Sequence, residues 1–271
     1  SAASDVYKRQ LPAFGVVGSD GRTVHDIKLS EYGTAWWAGV TGDITYWDPF
    51  RVAFDFTAGG VSYDESRLNR AGWMAALLVE YKFDWGTPGI VGWYASGDDD
   101  DLGNGSERLP TLSTGMSDND LSHFAFDGNP YIAREGTLGN SMAGTWGVGL
   151  RVKDFSFVED LKHTFRINYI GGTNDHEILK KLNRATGTWV APNQGGVGVE
   201  NMYLTDLDSA LEIGLYNEYK MYDNFKIALD ANYVALFLDD GHKTWKYSAM
   251  NGKSRDVRDA WNVNVSFVYE F

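Results

Sequence analysis

The chain has 271 residues, and 24 Lys and Arg against 37 Asp and Glu give a net charge of −13. A general nucleic-acid binder needs the opposite, a basic footprint. The absence of Cys removes disulfide scaffolds, thiolate zinc sites and Cys nucleophiles.

A content of 31 Gly, 6 Pro, 10 Trp, 15 Tyr and 14 Phe suits strands and turns better than helices. No run approaches the ~20 apolar residues of a membrane-spanning helix. A membrane β-barrel stays open, because its strands carry apolar residues at every second position. The chain opens on Ser1 to Gln10, which has neither an initiator Met nor the apolar centre of a secretory signal. The stretch SAASDVYKRQ resembles translated adapter sequence. Residues 1–10 are therefore expected to be non-native, and the chain to be truncated at its N-terminus.

Alternation then starts. Trp36, Ala38, Val40, Ile44 and Tyr46 share one parity, against Gly39, Thr41, Asp43 and Thr45. A strand turns successive side chains to opposite faces, so such a segment has one apolar and one polar face. Val52, Phe54, Phe56 and Ala58 repeat the pattern against Arg51, Ala53, Asp55 and Thr57. Trp73 to Phe83 comes next, with Glu80 and Lys82 on the polar side, and then a shorter segment over Ile90 to Ser96 whose pattern is ambiguous. Trp146 to Val152 alternates with Gly147, Gly149, Arg151 and Lys153; Phe165, Ile167 and Tyr169 alternate with Thr164, Arg166 and Asn168. Leu211 to Met221, Ile227 to Phe237 and Trp261 to Phe271 complete about nine predicted strands. Many reach ~10 residues, the length of membrane barrel strands, where soluble strands average ~5–6.

The links alternate as well. Asp48-Pro49, Asp84 to Pro88, Asp154 to Asp160 and Tyr222-Asp223 are short. Val61 to Arg70, Gly97 to Asn140, Asn174 to Asp206 and Asp239 to Arg258 are long. One rim with tight turns and one with large loops is the anatomy of an outer-membrane barrel. Aromatic residues cluster near the strand ends, as in interfacial girdles. The competing architecture is a soluble β-sandwich, which needs two inner faces but no alternation of loop length.

The last strand ends on Phe271 and resembles the C-terminal insertion signal of bacterial outer-membrane proteins. The segments GTPGIVGWYASGDDDDLGNGSERLP, GTWGVGLRVKDFSFVEDLKHTFRINYIGGTND and EYKMYDNFKIALDANYVALFLDD resemble outer-membrane homotrimeric porins of sulfate-reducing bacteria related to Desulfovibrio, over Trp73 to Phe271. The resemblance implies an all-β transmembrane antiparallel β-barrel of sixteen strands and a trimer in outer-membrane lipid. The chain is then a single barrel domain over 1–271, with about nine or ten of those strands present. It would pass small hydrophilic solutes and ions passively, with no cofactor, no metal, no nucleic acid and no reaction chemistry.

In a barrel of this kind the polar parity lines the lumen. The pore-lining candidates are Asp43, Arg51, Asp55, Glu80, Lys82, Arg151, Lys153, Arg166, Glu212, Glu218, Lys220, Lys226, Asp230 and Asn232. Lys82, Arg151, Arg166 and Lys220 form a candidate basic ladder, since rings of charge set ion preference; the alternative is that such charges are simply paired. The segment 97–140 carries Asp98, Asp99, Asp100, Asp101, Glu107, Asp118, Asp120 and Asp127. Folded inward it resembles the constriction loop of general porins; folded outward it is a solvated lid. Its acidic start does not make a helix-loop-helix calcium site, because Leu102 and Leu109 fall on ligand positions five and twelve.

Catalytic motifs are weak. His25, His123, His163, His176 and His242 make no HExxH, and no Ser lies in GxSxG. Gly144 to Gly149 lies in a predicted strand and precedes no helix, so it is a poor phosphate loop. Phe155 to Leu161 is expected to form a corner or short helical turn. Two membrane alternatives stay open. A non-conducting structural or adhesive barrel would show a blocked or apolar lumen, and a barrel-borne lipid hydrolase would depend on a Ser.

Overall fold

Period-two sequences bury one face and leave the other to a second medium, and here they generate nine strands. The computed structural model describes residues 34–63, 66, 69–101, 103–110, 142–178, 204–239, 241 and 259–270. The strands are β1 (Thr34–Ile44), β2 (Phe50–Ser62), β3 (Arg70–Tyr81), β4 (Thr87–Ala95), β5 (Thr145–Val158), β6 (Leu161–Gly172), β7 (Ser209–Tyr222), β8 (Phe225–Phe237) and β9 (Ala260–Tyr269). They form one antiparallel sheet in sequence order. The chain is therefore all-β, and each strand lies where the alternation put it. The pairing runs from β1 to β9 without joining these two, so the described sheet is open rather than closed into a barrel.

The short links come after β1, β3, β5 and β7, and the long ones after β2, β4, β6 and β8. At one short link the structure departs from expectation. Phe155 to Leu161 is neither corner nor helical turn: β5 continues to Val158, and only Glu159 and Asp160 turn the chain. Register slips between Val152 and Phe155 and again before Val158. Asp154 takes φ 56° there and Asp160 takes φ 60° in the turn. The extra residue changes the parity of the rest of the strand, as a β-bulge does. Phe155 and Phe157 thereby join Val152 on the outer face, and Phe155 pairs with His163 of that face.

The two faces are inverted relative to a water-soluble sheet. Mid-strand Leu77, Ile90, Val148, Leu150, Val263 and Val265 are each about half exposed, while Glu80, Arg151, Glu212 and Asp230 are below 5 % exposed. Soluble domains do the reverse, and large exposed apolar surfaces mark a partner or a lipid. Aromatic rings concentrate at both ends of the outer face. Phe50, Tyr81, Phe83 and Trp85 pack in series near the short turns, with centroids 4.4–5.6 Å apart. Phe56, Trp73 and Tyr94 stack at 6.1 and 5.3 Å nearer the long links. Trp73 to Tyr81 on β3 covers about 27 Å at ~3.4 Å per residue. A strand tilt of ~40° reduces this to about 20 Å, near the ~25 Å apolar band of outer-membrane barrels.

Candidate functional site

The inner face is organised in cross-strand rows. Toward the long links, Ala76, Trp93, Gly147, Ile170, Ala210 and Leu236 stand opposite one another from β3 to β8. Trp93, Ile170 and Ala210 join Met142, Leu204 and Val234 in a buried apolar cluster. The Trp93 indole N–H donates to Thr145 Oγ1 at 3.1 Å, which satisfies its one polar atom.

Two rows further toward the short turns the chemistry changes to Arg51, Glu80, Gly89, Arg151, Arg166, Gly214, Asn232 and Asn262. Glu80 is the hub. Its two oxygens accept from Arg51 at 2.7 Å and from Arg151 at 2.5 Å. Arg51 also donates to Asp43, at 3.0 Å. Four of the expected lining residues thus form one chain of charge across β1, β2, β3 and β5. Arg151 reaches Glu80 over β4 because Gly89 occupies the intervening place. A Cβ at Gly89 would lie 2.9 Å from Glu80 Cγ and 3.1 Å from the Val79 oxygen.

Arg151 and Arg166 are direct cross-strand partners. The other two members of the expected basic ladder lie elsewhere: Lys82 is in the turn after β3, and Lys220 is near the end of β7, paired with Asp223 at 2.9 Å. Asp55 accepts from Thr57 Oγ1 at 3.0 Å. Glu212 accepts from Asn168 Nδ2 at 3.1 Å, and both are buried. Asp230 and Asn232 are buried on β8. At the short-turn rim the partly buried Lys226 links the partly buried Glu218 to the exposed Glu270, each link 3.6 Å. Lys153 is partly buried beside the β5 irregularity. Asn168, Asn262, Asn264 and Ser266 share this inner face but carry no charge, so a search for charged groups passes over them.

The start of the long acidic link is well built. The Asp99 carboxylate accepts from the Asp101 N–H at 2.7 Å and from Asn104 Nδ2 at 3.0 Å, and Asp101 accepts from the Gly103 N–H at 2.8 Å. Ser106 Oγ donates to Asp98. Asp100 is exposed. Glu107 accepts from the Asp99 N–H at 3.1 Å. Burial pushes its carboxyl above the usual range, and the Asp99 and Asp98 charges add to that push against the amide hydrogen bond. Residues 107–110 then cross the inner side of the sheet. The backbone of Arg108 and Leu109 passes so close to Gly72 that a Cβ there would collide with it, and the Trp37 indole N–H donates to the Pro110 oxygen at 2.8 Å. Asp118, Asp120 and Asp127 lie outside the described residues, as does Phe271.

Three long links meet at buried polar groups that charge-based reading overlooks. Asn174 accepts from the Asp98 N–H at 3.0 Å and donates to the Leu204 oxygen at 2.6 Å. Asp208 accepts from Thr205 Oγ1 at 2.6 Å and from the Asp239 N–H at 2.7 Å. The only legible signal was turn chemistry, Thr-Asn-Asp after β6 and Thr-Asp-Leu-Asp before β7. Among the described residues no group of three or more His, Cys, Asp or Glu is arranged to hold a metal ion. No helix among them is long and apolar enough to cross a membrane, which says nothing of a β-barrel. No protein-family model matches the chain, and no curated protein matches it.

Proposed function

We propose that the sheet is part of the wall of an outer-membrane β-barrel and that the protein is a porin, passing small hydrophilic solutes and ions down their gradients. The observation that carries this reading is the inversion of faces: half-exposed Leu77, Leu150 and Val265 outside, buried Glu80, Arg151 and Glu212 inside. A surrounding hydrocarbon medium makes such an arrangement favourable over nine strands, which supports the reading. The two aromatic belts and the alternation of link lengths support it. β1 and β9 run in the same direction, so closure by antiparallel pairing takes an odd number of further strands. A ten-stranded barrel meets that condition, and so does the sixteen-stranded homotrimer implied by the resemblance to Desulfovibrio-type porins.

In this reading the row from Arg51 to Asn262 is the electrostatic filter, and residues 107–110 are the entry of a constriction loop. The lipid-facing side needs no cofactor, and transport needs no bond making. A second reading, a non-conducting barrel, is favoured by the apolar cluster of Trp93, Ile170 and Val234 on the same inner face. Planar-bilayer recording of detergent-purified folded protein separates the two. Large conductance steps support the porin; folded protein that carries no current defeats it. Images in detergent should show three wells for the trimer.

A further inference from the structure

We propose that His176 is a proton-operated clamp across the two ends of the long link between β6 and β7, closed in mild acid and released above neutral pH. The inference does not need the membrane reading, because every group in it lies beyond the strand ends.

The two ends first meet through groups that do not titrate. Asn174 and Thr205 form an isolated parallel bridge, and the Asp206 N–H donates to the Asn174 oxygen at 2.7 Å. Asn174 is buried, and its Nδ2 donates to the Leu204 oxygen at 2.6 Å. This base sets His176 beside Asp206. One Asp206 oxygen accepts twice, from the His176 backbone N–H at 3.1 Å and from ring Nδ1 at 3.0 Å. The other ring nitrogen, Nε2, lies 3.3 Å from Glu177 Oε1, and Asp175 Oδ1 lies 4.0 Å from Nδ1.

An ionised carboxylate only accepts, so Nδ1 carries hydrogen in this arrangement. A neutral ring then turns a lone pair toward the Glu177 oxygen, whereas the imidazolium turns a second N–H toward it. Only the cation meets both carboxylates favourably. With the ring neutral, one of the two contacts is lost, and the Glu177 and Asp206 charges repel across it. Histidine is the side chain whose charge ordinarily changes between about pH 5 and 8. The other basic side chain among the described residues of the long links is Arg108, which is buried and donates to the Ala143 oxygen at 2.8 Å.

Carboxyl groups surround the clamp on the other segments as well. Asp208, on the β7 side, is held by Thr205 and the Asp239 N–H. The Asp98 oxygen accepts from the Asp175 N–H at 2.8 Å, and that segment brings Asp99 and Glu107. Glu107 titrates too, so the experiment has to separate it from His176. Asp206 and Glu177 are about half exposed, and solvent screens both contacts.

The test is amide hydrogen exchange of the full folded chain at about pH 5.5 and about pH 8, on either side of the histidine range. Each rate is divided by the intrinsic rate at that pH and read over residues 173–178 and 204–208. Wild-type protection should be roughly 2- to 5-fold higher in acid, the worth of one screened ion pair. H176Q keeps a polar side chain without the titrating charge and should give equal protection at both pH values. E107Q should leave the difference in place. Salt at about 1 M, where the screening length falls to about 3 Å, should shrink it. Equal wild-type protection at both pH values overturns the clamp, as does a difference that persists in H176Q or ignores salt. A difference abolished by E107Q assigns the response to the acidic link and also overturns it. If H176Q does not fold, D206N removes the acceptor charge nearest the ring and should abolish the difference in its place.

Discussion

Glu80 on β3 and Arg151 on β5 meet at 2.5 Å over the strand that separates them. Gly89 is the residue between them in the same row, opposite Glu80 on one side and Arg151 on the other. A glycine there is a steric requirement, because any side chain would press on Glu80. G89V should lower stability by about 1–3 kcal/mol, the usual cost of forcing extra atoms into a packed site. Urea unfolding in detergent checks this, and an unchanged midpoint would show that the Glu80–Arg151 contact does not depend on the gap.

Charge removal at the hub tests the same network differently. Arg151 is 1 % exposed and Glu80 4 %, so E80Q breaks a buried pair, at a cost of up to about 3–5 kcal/mol. The Arg51 arm adds little, since that guanidinium is 39 % exposed and solvent screens it. In the porin reading, E80Q also leaves the row more positive. The zero-current potential in a salt gradient should then move toward anion preference.

The apolar layer separates an open from a filled interior. Trp93 is 5 % exposed within it. W93A should cost about 3–5 kcal/mol in unfolding experiments, as for other buried aromatics. If the layer closes the lumen, single-channel conductance should rise in W93A. If the lumen passes beside it, conductance should stay near the wild-type value.

Asp154 holds a left-handed backbone, φ 56°, at the β5 bulge. Such a conformation costs a non-glycine residue roughly 1–2 kcal/mol, less for Asp. D154G should therefore be neutral or slightly stabilising. Deleting Asp154 removes the parity change and drives Phe155 and Phe157 toward the charged inner face. A large fall in thermal midpoint is expected for the deletion alone.

Glu107 predicts the pH behaviour of the acidic link. Its folded pKa lies above the ordinary carboxyl value. Its contribution to stability is therefore fully present below the ordinary pKa of Glu and is lost as pH rises through the raised value. Limited proteolysis should cut residues 98–110 more slowly in mild acid than at neutral pH, and E107Q should flatten the difference. Equal cutting of the wild type at both pH values would refute this.

The positions of eight strands were legible from alternation, because the direction of a side chain in a strand depends only on local backbone geometry and each face meets one medium; the ninth was the short, ambiguous segment from Ile90 to Ser96. Trp261 to Tyr269 shows it most plainly: one parity is apolar throughout, and the other, Asn262, Asn264, Ser266 and Val268, is largely polar. The rhythm failed where one residue was added. Phe155 and Phe157 continue the sequence but change sides, and a bulge has no signature in a two-letter apolar and polar pattern.

The amino-acid sequence alone determined an all-β chain, its strand positions, and, away from the β5 bulge, which side chains share a face. Only the tertiary structure decided which of those side chains meet. Asp43 and Arg51 are eight residues apart in one hairpin, but Glu80 and Arg151 are 71 apart, and His163 and Asn217 are 54 apart. Their contacts depend on register accumulated over several strands and on the gap at Gly89. Register is a collective property of neighbouring strands, so no single strand's pattern contains it.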